Sequence, residues 1–377
     1  MLVFDGHLDI AYNALSHERD PRWTVAETRT READPPCDDG RDSCTTSLPE
    51  MRAAGVAVAA TTLLGRCKPW VKPGRPGAAG DGDWPSPEMV HGLARGQLAY
   101  YRRLERAGEV RVIETAGQLD AHWAEWQRAD AATRERLPVG LIVVMECADP
   151  IVEPAELAEW HALGLRGVFL THFGQGRYAA GNPMWWNPDN THDVDGPVTP
   201  LGVELLTEMG KIGMPLDLTH TSDTTFWDAL ERYGGPVCSS HMNCRAITGQ
   251  QRELSDDMVR AVTKRGGVVG VVLAVNMIRP DLTEGPIWPP TRHEVTLEHL
   301  ADHVDHLCQL AGDTDHVAIG SDTDGGFGAE CCPHGYDTHR DLHRFGDVLR
   351  DRGYGDDAAA AIFHGNWLRF YGGCLPG

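Results

Sequence analysis

The sequence predicts an α/β protein, a (β/α)8 TIM barrel with insertions in its strand-end loops. Short apolar runs rich in β-branched residues recur along the chain, each followed by a polar loop and then a stretch of helical spacing, the rhythm of parallel βα units. Eight such runs favour a closed barrel over an open doubly wound sheet, which shares the alternation. The length of 377 residues fits a typical barrel of about 250 plus insertions, and residues 1–377 are expected to form one domain.

The expected strands, in order, are Leu2–His7, Gly55–Leu64, Val139–Glu146, Gly167–His172, Met214–His220, Pro236–His241, Gly267–Leu273 and His316–Asp322. Between them the expected helices are Met89–Ala107, Pro154–Leu163, Pro200–Ile212, Asp223–Tyr233, Ser255–Lys264 and Thr296–Ala311, and Asp356–Tyr371 closes the chain. The clearest stripe is Leu297, Leu300, Val304, Leu307 and Leu310, whose spacing of three and four falls on one helix face. Two insertions stand out: Arg66–Pro87, rich in Gly and Pro, and Gly174–Pro200, which contains Trp185-Trp186. Both follow strands and so belong to the face on which barrel active sites are built. The tryptophan pair reads equally as a lid over a substrate or as a subunit contact.

Composition excludes several function classes. With 34 Lys+Arg against 55 Asp+Glu, the formal charge of -21 repels phosphate backbones and anionic lipid, so nucleic acid is not an expected partner. There is no run of about 18 apolar residues, so no membrane span is expected. The start, Met1-Leu2-Val3-Phe4-Asp5-Gly6-His7, carries no basic region and no apolar stretch of signal length, and the expected location is cytoplasmic. The ten cysteines form no Cys-x2-Cys knuckles and are expected to be reduced thiols. Cys37 with Cys44, and Cys331 with Cys332, are the two pairs placed to join or to bind metal. No Gly-x-Gly-x-x-Gly turn follows the first strand, which removes support for a nucleotide-dependent oxidoreductase.

The chemistry-bearing residues gather at the C-terminal ends of the expected strands. The first ends in His7-Leu8-Asp9, where side chains two apart in an extended segment project to one side and can grip a single ion. The third ends in Glu146 after a wholly apolar run; a carboxylate there must be paired, protonated or metal-bound, because an isolated buried charge is very costly. His172, His220, His241 and Asp322 close the fourth, fifth, sixth and eighth. Singly, a histidine beside an apolar strand is most often a satisfied structural residue. Ligand or acid–base types at six of eight strand ends are not a packing pattern, whereas two adjacent cations account for them. The set is oxygen and nitrogen without sulfur, so zinc is the first choice, with manganese, iron or cobalt able to accept similar ligands.

The chain resembles the renal, or membrane, dipeptidase family of metallopeptidases. The resemblance is carried by Asp5-Gly6-His7-Leu8-Asp9, Glu146, Leu170-Thr171-His172, Asp217-Leu218-Thr219-His220-Thr221-Ser222, Ser239-Ser240-His241 followed by Arg245, and Gly320-Ser321-Asp322-Thr323-Asp324-Gly325. It implies that His7 and Asp9 hold one zinc, that His220 and His241 hold the other, and that Glu146 bridges the two. It further implies a water or hydroxide between the ions as nucleophile, His172 as donor to the carbonyl oxygen, and Asp322 as the group that meets the substrate's amino end and handles protons. Arg252 is implied to grip the substrate carboxylate, a task suited to a planar bidentate donor. The implied substrate is a dipeptide or similar small amide, D-residue and modified dipeptides included, and the implied assembly is a homodimer.

Outside the family pattern, Arg252 reads as an ordinary loop arginine, Arg245 as an ion-pair residue and Asp324 as a turn former. His17, His91, His192, His293, His334, His339 and His364 read as ordinary histidines. Two features depart from the family: Thr323 stands where many members have an aromatic residue, and Ala274-Val275-Asn276-Met277 where some have a tyrosine. These changes touch the substrate pocket and leave the metal ligands intact. A related barrel amidohydrolase acting on a lactone, a cyclic amide or a natural-product precursor is therefore the alternative. A non-catalytic metal- or peptide-binding protein is the reading from another class, and it leaves His172 and Asp322 without a purpose.

Overall fold

The computed structural model describes residues 1–33, 43–70, 83–183, 194–285 and 290–377. Trp185, Trp186, His192 and Cys37 lie outside the described residues. All eight expected strands are present: β1 (Val3–Leu8), β2 (Val56–Leu64), β3 (Val139–Glu146), β4 (Leu165–Phe169), β5 (Leu216–Asp217), β6 (Val237–Cys238), β7 (Val269–Val271) and β8 (Val317–Ile319). Every residue of β2 and β3 is buried, as strands covered on both faces must be, which is why they read as continuous apolar runs.

The strands close into a parallel (β/α)8 barrel. β1 pairs with β2, β2 with β3, β3 with β4, β4 with β5 and β5 with β6. β6 joins β7 through the bridge of Ser239 with Val269, where the Gly270 N–H donates to the Ser239 carbonyl at 2.8 Å. β7 pairs with β8 from Val269↔Val317 to Val271↔Ile319. The Asp322 N–H donates to the His7 carbonyl at 3.2 Å and links the end of β8 back to β1. A short extra strand, Val110–Val112, pairs with the start of β3 and was not expected, three residues being too few to show a period.

Five strands end earlier than their sequence suggests, β7 by two residues and four others by three. His172, His220, His241 and Asp322 each lie three residues beyond the last residue of their strand, Phe169, Asp217, Cys238 and Ile319 respectively. The pleated ladder stops where the backbone bends across the barrel mouth. His220 (φ 66°) and Asp322 (φ 56°) are in the left-handed region, which a strand cannot contain.

The helices follow their punctuation. Pro200–Ile212 is as expected: the Thr199 hydroxyl accepts from the Gly202 N–H, Pro200 opens the first turn and Gly213 ends the helix at φ 65°. The C-terminal helix is instead three joined pieces, Asp356–Ala360, a π turn over Ala361–Gly365, and Asn366–Cys374. Helices Val25–Glu32, Leu48–Ala54, Ala116–Arg128 and Leu342–Asp351 were not expected. Among the described residues no helix is long and apolar enough to cross a membrane. The described cysteines, Cys44, Cys331 and Cys332 included, are free thiols.

Two glycines let the barrel close tightly. A Cβ at Gly270 or Gly320 would overlap the Ser240 carbonyl oxygen, one residue before His241. Because the obstacle is backbone, no rotamer change relieves it. Gly320→Ala is expected to cost about 3 kcal/mol, measured as a lower urea midpoint. Gly210→Ala, on an open helix face with nothing within 4 Å of the added carbon, is expected to gain about 0.5–1 kcal/mol. Equal midpoints for the two variants would remove the close-approach argument.

Candidate metal centre and substrate pocket

Seven expected side chains converge at the C-terminal mouth of the barrel, and all are buried or nearly so: His7, Asp9, Glu146, His172, His220, His241 and Asp322. Glu146 Oε1 is their common neighbour. His220 Nε2 lies 3.1 Å from it, His7 Nε2 3.5 Å, and His172 Nε2 and His241 Nε2 3.6 Å each. On the other side of His7, its Nε2 is 4.0 Å from Asp9 Oδ1 and 3.7 Å from Asp322 Oδ1. The His220 and His241 Nε2 atoms are 3.0 Å apart.

Three overlapping groups have ligand spacing: His7 with Glu146 and His241, Glu146 with His172 and His220, and His7 with Asp9 and Asp322. Ligand atoms within each lie within 4.8 Å of one another. The expected pairing of His7 with Asp9 is kept in the third group, whereas His220 and His241 fall in different groups; Glu146 belongs to two groups and His7 to two.

The electrostatics show what this cage lacks. Burial, reinforced by Glu146, pushes the Asp9 carboxyl up to about 7, and burial pushes Glu146 up to about 8. Burial drives Asp322 well above the usual carboxylate range and holds His172, His220 and His241 well below the usual imidazole range. Neutral imidazoles are the metal-ligating form. His7 Nε2, Glu146 Oε2 and His220 Nδ1 are buried with no hydrogen-bond partner among the described residues. Buried polar atoms are normally satisfied, so three orphans in one cage of nitrogen and oxygen donors fit divalent cations.

A layer behind these groups sets their positions. Asp5 Oδ1 accepts from the His7 N–H at 3.2 Å and from the Ser321 N–H at 2.9 Å, tying β1 to β8. Asp217 Oδ1 accepts from the Thr219 N–H at 3.0 Å and the Ser240 N–H at 3.1 Å, tying β5 to β6. His339, expected to be ordinary, is fully buried with Nε2 3.3 Å from Asp5 Oδ2. Asp324 is more than a turn former: its carboxylate takes the Thr45 and Thr46 N–H groups at 2.8 and 2.9 Å and holds the segment after residue 42 against the mouth.

Arg252 is not an ordinary loop arginine. It is 1% exposed, its Nη2 donates to the His241 carbonyl at 3.0 Å, and its Nε and Nη1 have no hydrogen-bond partner among the described residues. Its guanidinium stands 5.9 Å from the Phe173 ring, which in turn packs edge-on to His220. A buried cation with two free donors beside the cage fits an anionic ligand group. Arg245 is the structural ion pair, with Nη1 and Nη2 on the Asp223 carboxylate at 2.8 and 2.7 Å. Sequence reasoning missed Arg66, which is 7% exposed and places Nη1 2.9 Å from His172 Nδ1. An arginine directly after a buried strand was the available signal.

Comparison with known proteins shows the family and the fold. The family model described as membrane dipeptidase, peptidase family M19, matches residues 1–373. An uncharacterised dipeptidase of Schizosaccharomyces pombe is 30% identical over 197 residues, 52% of this chain and 42% of that protein. The chain spans about two-fifths of the length of most curated relatives it matches. The crystal structure of a metallopeptidase, dipeptidase AC, is similar in fold at a TM-score of 0.76 and 24% identity, covering 100% of this chain and 99% of that one. A Rhodobacter sphaeroides metallopeptidase bound to a phosphinate mimic of the dipeptide L-Ala-D-Ala has a TM-score of 0.75 at 23% identity, with 100% and 99% covered.

If the cage holds cations, they stabilise the fold by mass action. Zinc at a hundredfold excess over its dissociation constant is expected to add about 2.7 kcal/mol per bound ion to the unfolding free energy of chelator-treated protein. Glu146→Gln, with no charge to set against a bound cation, is expected to lose most of that increment. An equal zinc-induced rise in melting temperature in the variant would remove Glu146 from the ligand set.

Proposed function

The chain belongs to the membrane dipeptidase family of peptidases, and on that premise we propose that it is a binuclear zinc dipeptidase hydrolysing the amide bond of dipeptides. The observation that carries this reading is Arg252, a buried guanidinium with two unpartnered nitrogens beside a cage of histidines and carboxylates. In the proposal His7 and Asp9 hold one ion, His220 and His241 the other, and Glu146 bridges them. Divalent cations bound to these residues would supply the charge that lowers the pKa of a water and polarises the scissile carbonyl.

The remaining groups orient and stabilise. Arg252 receives the substrate carboxylate, and Asp322 meets the free amine and holds the proton passed to the leaving nitrogen. His172 donates a hydrogen bond to the carbonyl oxygen as charge gathers on it. Two fixed groups of opposite charge act as a ruler for a short zwitterion, since a longer peptide leaves one buried charge unpaired. A dipeptide with a D-residue at its carboxyl end falls within the proposal, supported by the phosphinate mimic of L-Ala-D-Ala bound by the structurally similar Rhodobacter sphaeroides protein. Residues 1–377 acting as one hydrolase domain, a cytoplasmic location and a homodimer complete the proposal.

Arg252→Ala is expected to lower kcat/KM for free dipeptides by about a hundredfold or more, the scale of a buried charge left without its partner. Amidating the dipeptide carboxylate is expected to do the same to the wild type and to add little in the variant. If amidation harms both proteins equally, the arginine does not read the carboxylate, and the lactone or cyclic-amide reading replaces this one.

Metal analysis of the purified protein is expected to give two divalent ions per chain. His172→Ala is expected to keep both while kcat falls by about 10²–10³, the scale of one oxyanion donor. Metal lost in step with activity would make His172 a ligand.

A further inference from the structure

We infer that Arg66, held by Asp83, is a positioning residue that fixes His172 in the tautomer carrying its proton on Nε2, the nitrogen that faces Glu146. The inference rests on the proposed role of His172 as a donor to the substrate carbonyl. A neutral imidazole has one N–H and one lone pair, whereas a guanidinium has five donors and no acceptor. The 2.9 Å contact between Arg66 Nη1 and His172 Nδ1 therefore has only one sense: Arg66 donates and Nδ1 accepts. The proton of the neutral ring is then on Nε2, 3.6 Å from Glu146 Oε1.

Two consequences follow. Nε2 has no lone pair to offer a cation, so His172 stays out of the ligand shell although its position has ligand spacing with Glu146 and His220. It presents an N–H to any oxygen placed at the mouth, and the cation on Nδ1 polarises that N–H and opposes a second proton. No proton leaves His172 in this role. His241 is the contrast: its Nδ1 faces the Ser240 hydroxyl at 2.9 Å, a group that can accept as well as donate, so its Nε2 is free to keep a lone pair for metal. The partner of Nδ1 thus sorts two histidines of one barrel mouth into donor and ligand.

Arg66 is itself fixed in place. Its Nε donates to Asp83 Oδ1 at 2.6 Å, and Arg66–Cys67 pairs with Asp83–Trp84 in a short parallel ribbon directly after β2. The Cys67 N–H donates to Asp149 Oδ2 at 2.7 Å and the Lys68 N–H to the Trp84 carbonyl at 2.7 Å, so the backbone that follows the arginine is tied down. The second arm of the fork reaches the ring of a histidine 106 positions away.

The test uses zinc-loaded protein with 15N-labelled histidine, whose long-range proton–nitrogen spectra distinguish the two tautomers, His172 being assigned by its absence in His172→Gln. The wild type is expected to show a pyridine-type Nδ1 and a pyrrole-type Nε2. Arg66→Leu is expected to lose that signature and to lower kcat by about a hundredfold, with KM changed less than about threefold and zinc content kept. Arg66→Lys, which still offers a donor to Nδ1, is expected to recover the signature and part of kcat, and Asp83→Asn to fall between. Should Arg66→Leu fail to fold, the last two variants carry the same readouts. A wild-type His172 protonated on Nδ1, an unchanged signature in Arg66→Leu, or zinc lost in step with kcat would overturn the inference. The expected spectra in a protein that turns over no dipeptide would sink the proposed function and leave this inference standing.

Discussion

One carboxylate oxygen, Glu146 Oε1, has four imidazole nitrogens within 3.6 Å at the end of a fully buried strand, and the barrel mouth is arranged around it. Left to itself such a group would keep its proton, as burial demands. Asp217 pushes it in the same direction, and Arg252 and Arg66 oppose that push. A site built this way is poised for added positive charge. Asp9, Asp322 and the orphaned nitrogens of His7 and His220 express the same deficit.

Holding seven such groups together costs stability that the scaffold must offset. The barrel does this with one device used twice. Asp5 and Asp217 each accept from the N–H two residues on and from the N–H of a serine on the neighbouring strand, Ser321 and Ser240. Each carboxylate thereby satisfies backbone donors that the shortened ladders leave free, at the points where β8 meets β1 and β5 meets β6. The left-handed φ of His220 and Asp322 sits beside these staples, where surrounding structure can sustain a conformation that an isolated chain would avoid. Close backbone approach at Gly270 and Gly320 completes the same region.

The two arginines at the mouth divide the work of recognition. Arg252 leaves two nitrogens free and is placed to take a charge from outside, whereas Arg66 is engaged on both arms, one anchored on Asp83 and the other on His172. Equivalent chemistry thus serves binding in one case and orientation in the other. The difference lies in what each guanidinium already touches.

By itself the sequence determined the eight strands, their parallel βα alternation and the residue types at their ends, because periodicity and strand-end position are local properties of the chain. It could not place Arg252, whose loop address suggests solvent, nor Arg66, whose partner is 106 positions away. It extended four strands three residues too far, since apolar pattern does not reveal where a backbone turns left-handed to aim a side chain. Which nitrogen of His172 carries the proton, which histidine nitrogens stay bare, and which buried charges meet are decided only in the folded mouth. Those are pairwise facts between distant residues, and burial sets their strength.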